Sequence, residues 1–360
     1  MNVSLPKYRV LIVDDSAFFR KAIEMILSKD RRLEVVGCAK DAFEAKQMVD
    51  SLQPDVITLD VEMPKMDGLE FLRRLMAHRP IPVVMCSTIV TKGSDLLMQA
   101  LEMGAVGVIE KGLVGNGRHA ADLQMQICDT VRGAALAKLQ KRSRNIAQNP
   151  DAIKSYALDP KELKRVENSL SVLGVGSSTG GPEALKTLLG GMPSNCPPIV
   201  MVQHMPEVFT GPFAKRLNKY APMDVREAKQ GDVLRNGLAL LAPGSHHMEI
   251  MYNPLNSKEM IVSLNEGGLV SRHRPSVDVL FRSLATNIGK RATGVILTGM
   301  GQDGADGLLE MRQTGSRTYG QDQESCVVYG MPKVAKSIGA VERELPLTSL
   351  AKAVLTQAAP

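Results

Sequence analysis

The stretch Ser171-Val172-Leu173-Gly174-Val175-Gly176-Ser177-Ser178-Thr179-Gly180-Gly181-Pro182-Glu183-Ala184-Leu185 runs from apolar residues through small ones into a helical pattern. An apolar run of this length reads as a strand buried on both faces, and the glycines after it punctuate without making a hairpin turn. Two later runs behave alike: Ile199–Gln203 leads into His204, and Gly294–Thr298 leads into Asp303. In open α/β sheets the ligand crevice lies beyond the carboxyl ends of the strands. Three such ends bring a hydroxyl, an imidazole and a carboxylate to one edge. The pattern predicts a covalent hydrolase on a doubly wound sheet.

Gly176-Ser177-Ser178-Thr179-Gly180 fits G-x-S-x-G, in which small residues let the chain turn sharply and expose the serine at a helix N-terminus. Backbone N–H groups there can receive an oxyanion, and Thr179 and Met300 are the candidate donors. Glycine-rich strand-to-helix turns also bind phosphates, so this spacing alone leaves both chemistries open. His204 is the leading general base, with His246, His247 and His273 as competitors. Asp303 is the candidate to hold the imidazole in its working tautomer, and Asp306 is its rival. The order Ser–His–Asp differs from that of α/β-hydrolases, chymotrypsin and subtilisin, which implies a triad reached independently.

Toward the N-terminus, strand patterns at Tyr8–Val13, Leu33–Gly37, Val56–Leu59, Pro82–Cys86 and Val106–Ile109 alternate with amphipathic segments. Five such repeats predict a flavodoxin-like domain with strand order 2-1-3-4-5. Asp14, Asp15, Asp60, Ser87 and Lys111 follow strands of that sheet and would converge at its carboxyl edge. Three carboxylates together repel unless a divalent cation neutralises them, and hard oxygen ligands suit Mg²⁺. A carboxylate beside a cation and a lysine is a phosphoryl acceptor in waiting. A helix is expected from about 121 to 141, giving a first domain over 7–141. The polar segment 142–169 reads as a linker, with Asn149-Pro150 and Asp159-Pro160 breaking any long helix. The second α/β domain spans 170–356, with a further strand at Leu238–Ala242 and an antiparallel-looking stretch near Met260–Leu264.

Composition sets bounds on these readings. With 360 residues, 44% hydrophobic and 23% charged, the chain reads as two globular domains. The net charge of +6 invites a nucleic-acid partner. The basic residues are dispersed, however, apart from Lys138, Lys141, Arg142 and Arg144, and no zinc-finger or RNA-binding pattern accompanies them. No nucleic-acid partner is expected. Five widely spaced cysteines suit reduced thiols, the start lacks a secretory apolar core, and no run is long enough to span a bilayer. A cytoplasmic protein without membrane insertion is expected.

Residues 8–112 resemble a response-regulator receiver domain through Asp60-Val61-Glu62-Met63-Pro64-Lys65-Met66-Asp67-Gly68 and the acidic, serine and lysine positions above. The resemblance implies phosphorylation at Asp60, Mg²⁺ held with Asp14 and Asp15, and phosphoryl contacts from Ser87 and Lys111. Val108 stands where the family often has an aromatic switch residue, and Gly112 replaces the usual proline after the lysine. Both departures bear on how the signal leaves the domain.

Residues from about 170 to 355 are similar to the catalytic domain of the chemotaxis protein-glutamate methylesterases. The matching pieces are Ser178–Leu185, Gln203-His204-Met205-Pro206, Pro243-Gly244-Ser245-His246, Ser276–Phe281, Leu297–Gly304 and Tyr329-Gly330-Met331-Pro332. The family triad falls on Ser178, His204 and Asp303. The likeness implies hydrolysis of γ-glutamyl methyl esters on methyl-accepting chemotaxis receptors with release of methanol, together with deamidation of receptor glutamines. It implies a chemotaxis histidine kinase as phosphodonor, a receiver that covers the active site until phosphorylated, and no cofactor for the ester chemistry. A monomer is expected.

Overall fold

The apolar runs become two parallel sheets in the computed structural model, which describes residues 7–88, 91–113, 120–138 and 158–356. The chain divides into two compact units, Met1–Leu139 and Gln140–Pro360.

The first unit holds β1 (Tyr8–Val13), α1 (Ala17–Leu27), β2 (Leu33–Ala39), α2 (Ala42–Leu52), β3 (Val56–Asp60), α3 (Gly68–His78), β4 (Val83–Ser87), α4 (Thr91–Met103), β5 (Gly107–Glu110) and α5 (Ala120–Ala135). Its five strands are parallel in the order 2-1-3-4-5. Val10, Leu11, Ile12, Val13, Ile57, Leu59, Val84 and Met85 are almost wholly withdrawn from water. Burying each such side chain contributes roughly 1.5–3 kcal/mol, which explains why these strands read as unbroken apolar runs. Helix starts follow side-chain chemistry: Ser16, Asp41 and Asp67 each accept from an amide in the first turn of the helix they precede. The helix expected over about 121–141 ends at Ala135, and Lys141, Arg142 and Arg144 lie outside the described residues.

Most of the segment read as a linker, 142–157, also lies outside the described residues. Its end is α6 (Pro160–Ser169). Asp159-Pro160, read as a breaker, is a helix start: Asp159 forms a reciprocal capping box with Glu162, and Pro160 occupies the first turn.

The second unit continues with β6 (Val172–Ser177), α7 (Gly181–Gly190), β7 (Ile199–Gln203), α8 (Glu207–Tyr220), β8 (Asp224–Glu227), β9 (Leu238–Leu241), β10 (His247–Asn253), β11 (Asn256–Asn265), α9 (Val277–Asn287), β12 (Ala292–Ile296), α10 (Ala305–Gln313), β13 (Arg317–Gln321), α11 (Met331–Ser337), β14 (Arg343–Leu345) and α12 (Leu347–Thr356). Seven strands pair in parallel in the order 14-13-12-6-7-9-8, and β10 and β11 form a separate antiparallel pair. Chain connections leave β6 toward β7 on one side, while the later strands build outward from β12 on the other. The order therefore reverses between β6 and β12, the place where a doubly wound sheet opens a ligand crevice. Ser178 and Asp303 follow those two strands, and His204 follows β7 beside them.

Candidate active site and phosphoacceptor site

The end of β6 turns through Ser177, Ser178 and Thr179 into α7. Gly180 caps that helix in the left-handed region at φ 78°, and a Cβ there would lie 2.5 Å from Val327 Cβ, so only glycine fits. The two adjacent serines have different environments. Ser177 is fully buried, and its hydroxyl donates to Gln203 Oε1 at 2.8 Å. Ser178 is half-buried. Gln203 Nε2 donates to the Ser178 carbonyl at 2.9 Å and the His204 carbonyl at 3.0 Å, tying the ends of β6 and β7 together. The His204 amide also donates to Ser177 O at 3.1 Å. Nothing in the sequence marks Gln203 as a site residue, because its Ser177 and Ser178 partners lie about 25 residues away.

His204 Nε2 donates to Asp303 Oδ2 at 2.7 Å, and both side chains are nearly buried. Asp303 also accepts from Ser276 Oγ at 2.6 Å, Val277 N at 2.7 Å and Asp278 N at 3.1 Å. Ser276 is the N-cap residue of α9, yet its hydroxyl makes no cap bond within the helix and turns to Asp303 instead. Burial alone would push the Asp303 carboxyl upward. The His204 hydrogen bond and charge, with the Ser276 hydroxyl, outweigh it and hold the group below the usual carboxylate range. The result is an ionised carboxylate seated on a helix N-terminus.

With Nε2 so engaged, the other ring nitrogen decides what the imidazole can do. His204 Nδ1 is buried and has no hydrogen-bond partner among the described residues. A buried nitrogen of this kind is costly in a resting fold and useful to a proton acceptor. Asp306, the rival of Asp303, is exposed on the first turn of α10. The competing histidines are placed elsewhere or otherwise engaged. His246 pairs with Ser245 and Glu266, and His247 is buried between the Gly268 carbonyl and the Ser276 amide. His273 lies flat against His204, with ring centroids 3.7 Å apart and planes 9° from parallel. Desolvation, then the facing His204, push the His273 imidazole well below its ordinary value, so it stays neutral.

Gly299 packs against the serine. A Cβ on it would fall 2.8 Å from Ser178 Cβ, so the loop carrying Met300 presses directly on the serine. Among the described residues, the backbone N–H groups of Thr179 and Met300 have no protein acceptor.

In the first unit, Asp14, Asp15 and Asp60 each offer an oxygen within 4.8 Å of the others. Asp14 and Asp60 are buried while Asp15 is exposed, giving the cluster one open side. Lys111 Nζ pairs with Asp14 at 2.6 Å and with Asp60 at 2.7 Å. Burial, then the Asp14 charge, raise Asp60 to about 6, with Lys111 opposing them. One ammonium facing three carboxylates leaves a charge deficit that a hard divalent cation fits. Ser87 is buried at the end of β4, and its hydroxyl donates to the Thr88 carbonyl at 3.1 Å. Val108 is half-buried in β5, and Gly112 lies in a short 3-10 turn with Lys111.

Comparison with known proteins agrees with both halves of this arrangement. Residues 173–354 match the CheB methylesterase family, and residues 10–117 match the response regulator receiver domain. A protein-glutamate methylesterase/protein-glutamine glutaminase of Oleidesulfovibrio alaskensis is 46% identical over 349 residues, covering 96% of this chain and 97% of its own. A protein of the same description from Rhodospirillum rubrum is 46% identical over 358 residues, covering 97% and 98%. The crystal structure of the Thermotoga maritima CheB methylesterase catalytic domain superposes with a TM-score of 0.51 at 33% identity, spanning 52% of this chain and 99% of its own. With a family match over half its length and relatives of this identity across nearly all of it, the chain belongs to the CheB methylesterase family and carries a receiver domain ahead of the methylesterase domain.

Proposed function

We propose that this enzyme hydrolyses γ-glutamyl methyl esters on methyl-accepting chemotaxis receptors in the cytoplasm and deamidates receptor glutamines by the same route. The observation that carries this reading is the buried, unpartnered Nδ1 of His204, held by the Nε2–Asp303 bond at the strand end next to Ser178. Nδ1 takes the Ser178 proton as Oγ attacks the ester carbonyl. The Thr179 and Met300 amides receive the oxyanion. His204 returns the proton to departing methanol, or to ammonia from a glutamine, and then activates the water that frees the glutamate. Asp303 stays ionised throughout and steadies the imidazolium.

The receiver is read as the control. Asp14, Asp15 and Asp60 would hold Mg²⁺, which when bound offsets charge on phosphoryl oxygens. Asp60 accepts the phosphoryl group from a chemotaxis histidine kinase, with the Ser87 hydroxyl and Lys111 ammonium contacting its oxygens. We assign the receiver to 7–141, the connecting segment to 142–169 and the catalytic domain to 170–356, the protein acting as a monomer. The unphosphorylated receiver holds the esterase activity down, and phosphorylation need shift that balance by only a few kcal/mol.

Two assays test the proposal. On methylated receptor membranes, Ser178→Ala should release no methanol, and turnover equal to wild type would remove Ser178 as nucleophile. A fragment beginning at Lys161 should outpace the unphosphorylated full chain, and equal rates would rule out inhibition by the receiver.

A further inference from the structure

The loop before α9 contains a strained two-residue turn. Val270 and His273 exchange backbone bonds, Val270 N to His273 O at 3.1 Å and His273 N to Val270 O at 2.9 Å. The residues between them, Ser271 and Arg272, have φ of 50° and 68°. Both central residues of a primed type I turn need positive φ, which is why Asn-Gly is its usual sequence. Two successive non-glycine residues in that region persist only where their surroundings over-determine them.

Two contacts supply that constraint. Ser271 Oγ donates to Asp278 Oδ2 at 3.2 Å, and the His273 ring lies flat on His204. Asp278 is 2% exposed and takes no part in the His204–Asp303 bond through its side chain. Its Oδ1 accepts from Gly307 N at 2.8 Å, so the carboxylate bridges α9 and α10 with its other oxygen aimed at the turn. The first turn of α9 thus serves both neighbours of His204. Its amides hold Asp303, and its Asp278 side chain holds the turn that carries His273.

We propose that the Ser271–Asp278 hydrogen bond is a latch that holds the strained turn 270–273, so that His273 clamps the face of His204 and fixes the ring for proton transfer from Ser178. This rests on His204 being the general base. An imidazole anchored at one nitrogen can still swing about that bond, and a flat aromatic neighbour removes the swing. Because His273 is held neutral, it offers a polarisable face to the imidazolium that forms, without adding a repelling charge. Ser271, Asp278 and His273 are positioning residues.

The test uses the full-length protein on methylated receptor membranes. Ser271→Ala and His273→Ala should each lower kcat about 5- to 20-fold, as a misaimed base does, with KM within about twofold of wild type. His273→Phe keeps a flat ring and should recover most of that loss. Asp278→Asn can accept from Gly307 and donate to the Ser271 hydroxyl, so it should recover most of what Asp278→Ala loses. Wild-type kcat in both Ser271→Ala and His273→Ala overturns the proposal, as does His273→Phe no better than His273→Ala. Ser178→Ala and His204→Ala run alongside: activity in those variants sinks the triad itself, whereas their inactivity with unimpaired Ser271→Ala and His273→Ala sinks only the latch.

Discussion

Asp303→Asn separates charge from shape at the heart of the proposed triad. The carboxylate accepts four hydrogen bonds, with His204 and Val277 on Oδ2 and Ser276 and Asp278 on Oδ1. Asparagine has only one acceptor oxygen. If that oxygen faces Ser276 and Asp278, the NH₂ group meets the Val277 N–H and forces His204 to accept at Nε2. The proton then sits on Nδ1, which can no longer take one from Ser178. The flipped amide preserves the tautomer but sets NH₂ against the Asp278 N–H. Either orientation leaves a buried donor unmet, costing about 1–3 kcal/mol of stability. The tautomer effect is larger. In serine hydrolases with the same constellation, the equivalent change lowers kcat about 10⁴-fold, or about 5.5 kcal/mol at 1.36 kcal/mol per tenfold. Methanol release from methylated receptor membranes, with Ser178→Ala as the blank, measures it. An Asp303→Asn enzyme within about tenfold of wild type would refute the proposed role of that carboxylate.

Gly299→Ala places a Cβ 2.8 Å from Ser178 Cβ, so the loop must move; kcat should fall about 10- to 100-fold while circular dichroism stays unchanged. Asp278 is a buried acid raised to about 6, by burial first. Its folded form binds a proton more readily than the unfolded chain does, so ionising it costs stability as pH rises from about 4 through about 6. Asp278→Asn removes that cost: its stability relative to wild type should grow by about 2 kcal/mol between pH 4.5 and 7.5 in denaturant titrations, and a difference independent of pH would contradict the assignment. For Asp303, whose carboxyl is held low, the sign reverses: its contribution is complete above about pH 4 and is lost only as pH falls further. Lys111→Ala removes the ammonium shared by Asp14 and Asp60; Mg²⁺ affinity of the full chain, followed by titration, should rise while phosphorylation no longer stimulates methanol release. Unchanged Mg²⁺ binding would show that the lysine does not compete for those carboxylates.

The parallel sheets were legible because buried strands leave long apolar runs, and the residue ending each run marks the carboxyl edge. Val172–Ser177, Ile199–Gln203 and Ala292–Ile296 all became strands within one or two residues of their expected limits. Edge strands escaped for the opposite reason. Asp224–Glu227 and Arg343–Leu345 are short and partly polar, since a strand at the rim has little to bury. Arg317–Gln321 escaped although four of its five residues are buried, because polar Thr318 and Gln321 break up the apolar run that marks a buried strand. Among four histidines the sequence could only rank candidates. What distinguishes His204 is the company of Asp303, 99 residues away, and the stacked His273. The cradle of Asp303 was equally hidden. A serine before an apolar helix reads as an ordinary N-cap, and nothing in Ser276-Val277-Asp278 announces that hydroxyl and amides will converge on a carboxylate 25 to 27 residues later.

Covalent trapping decides whether Ser178 is the nucleophile. The intact protein, treated with a serine-reactive phosphonofluoridate and mapped by peptide mass spectrometry, should carry a single adduct on Ser178, none on the buried Ser177, and far less in His204→Ala. An adduct on Ser177, or Ser178 labelling undiminished without the imidazole, would contradict a hydroxyl activated by His204.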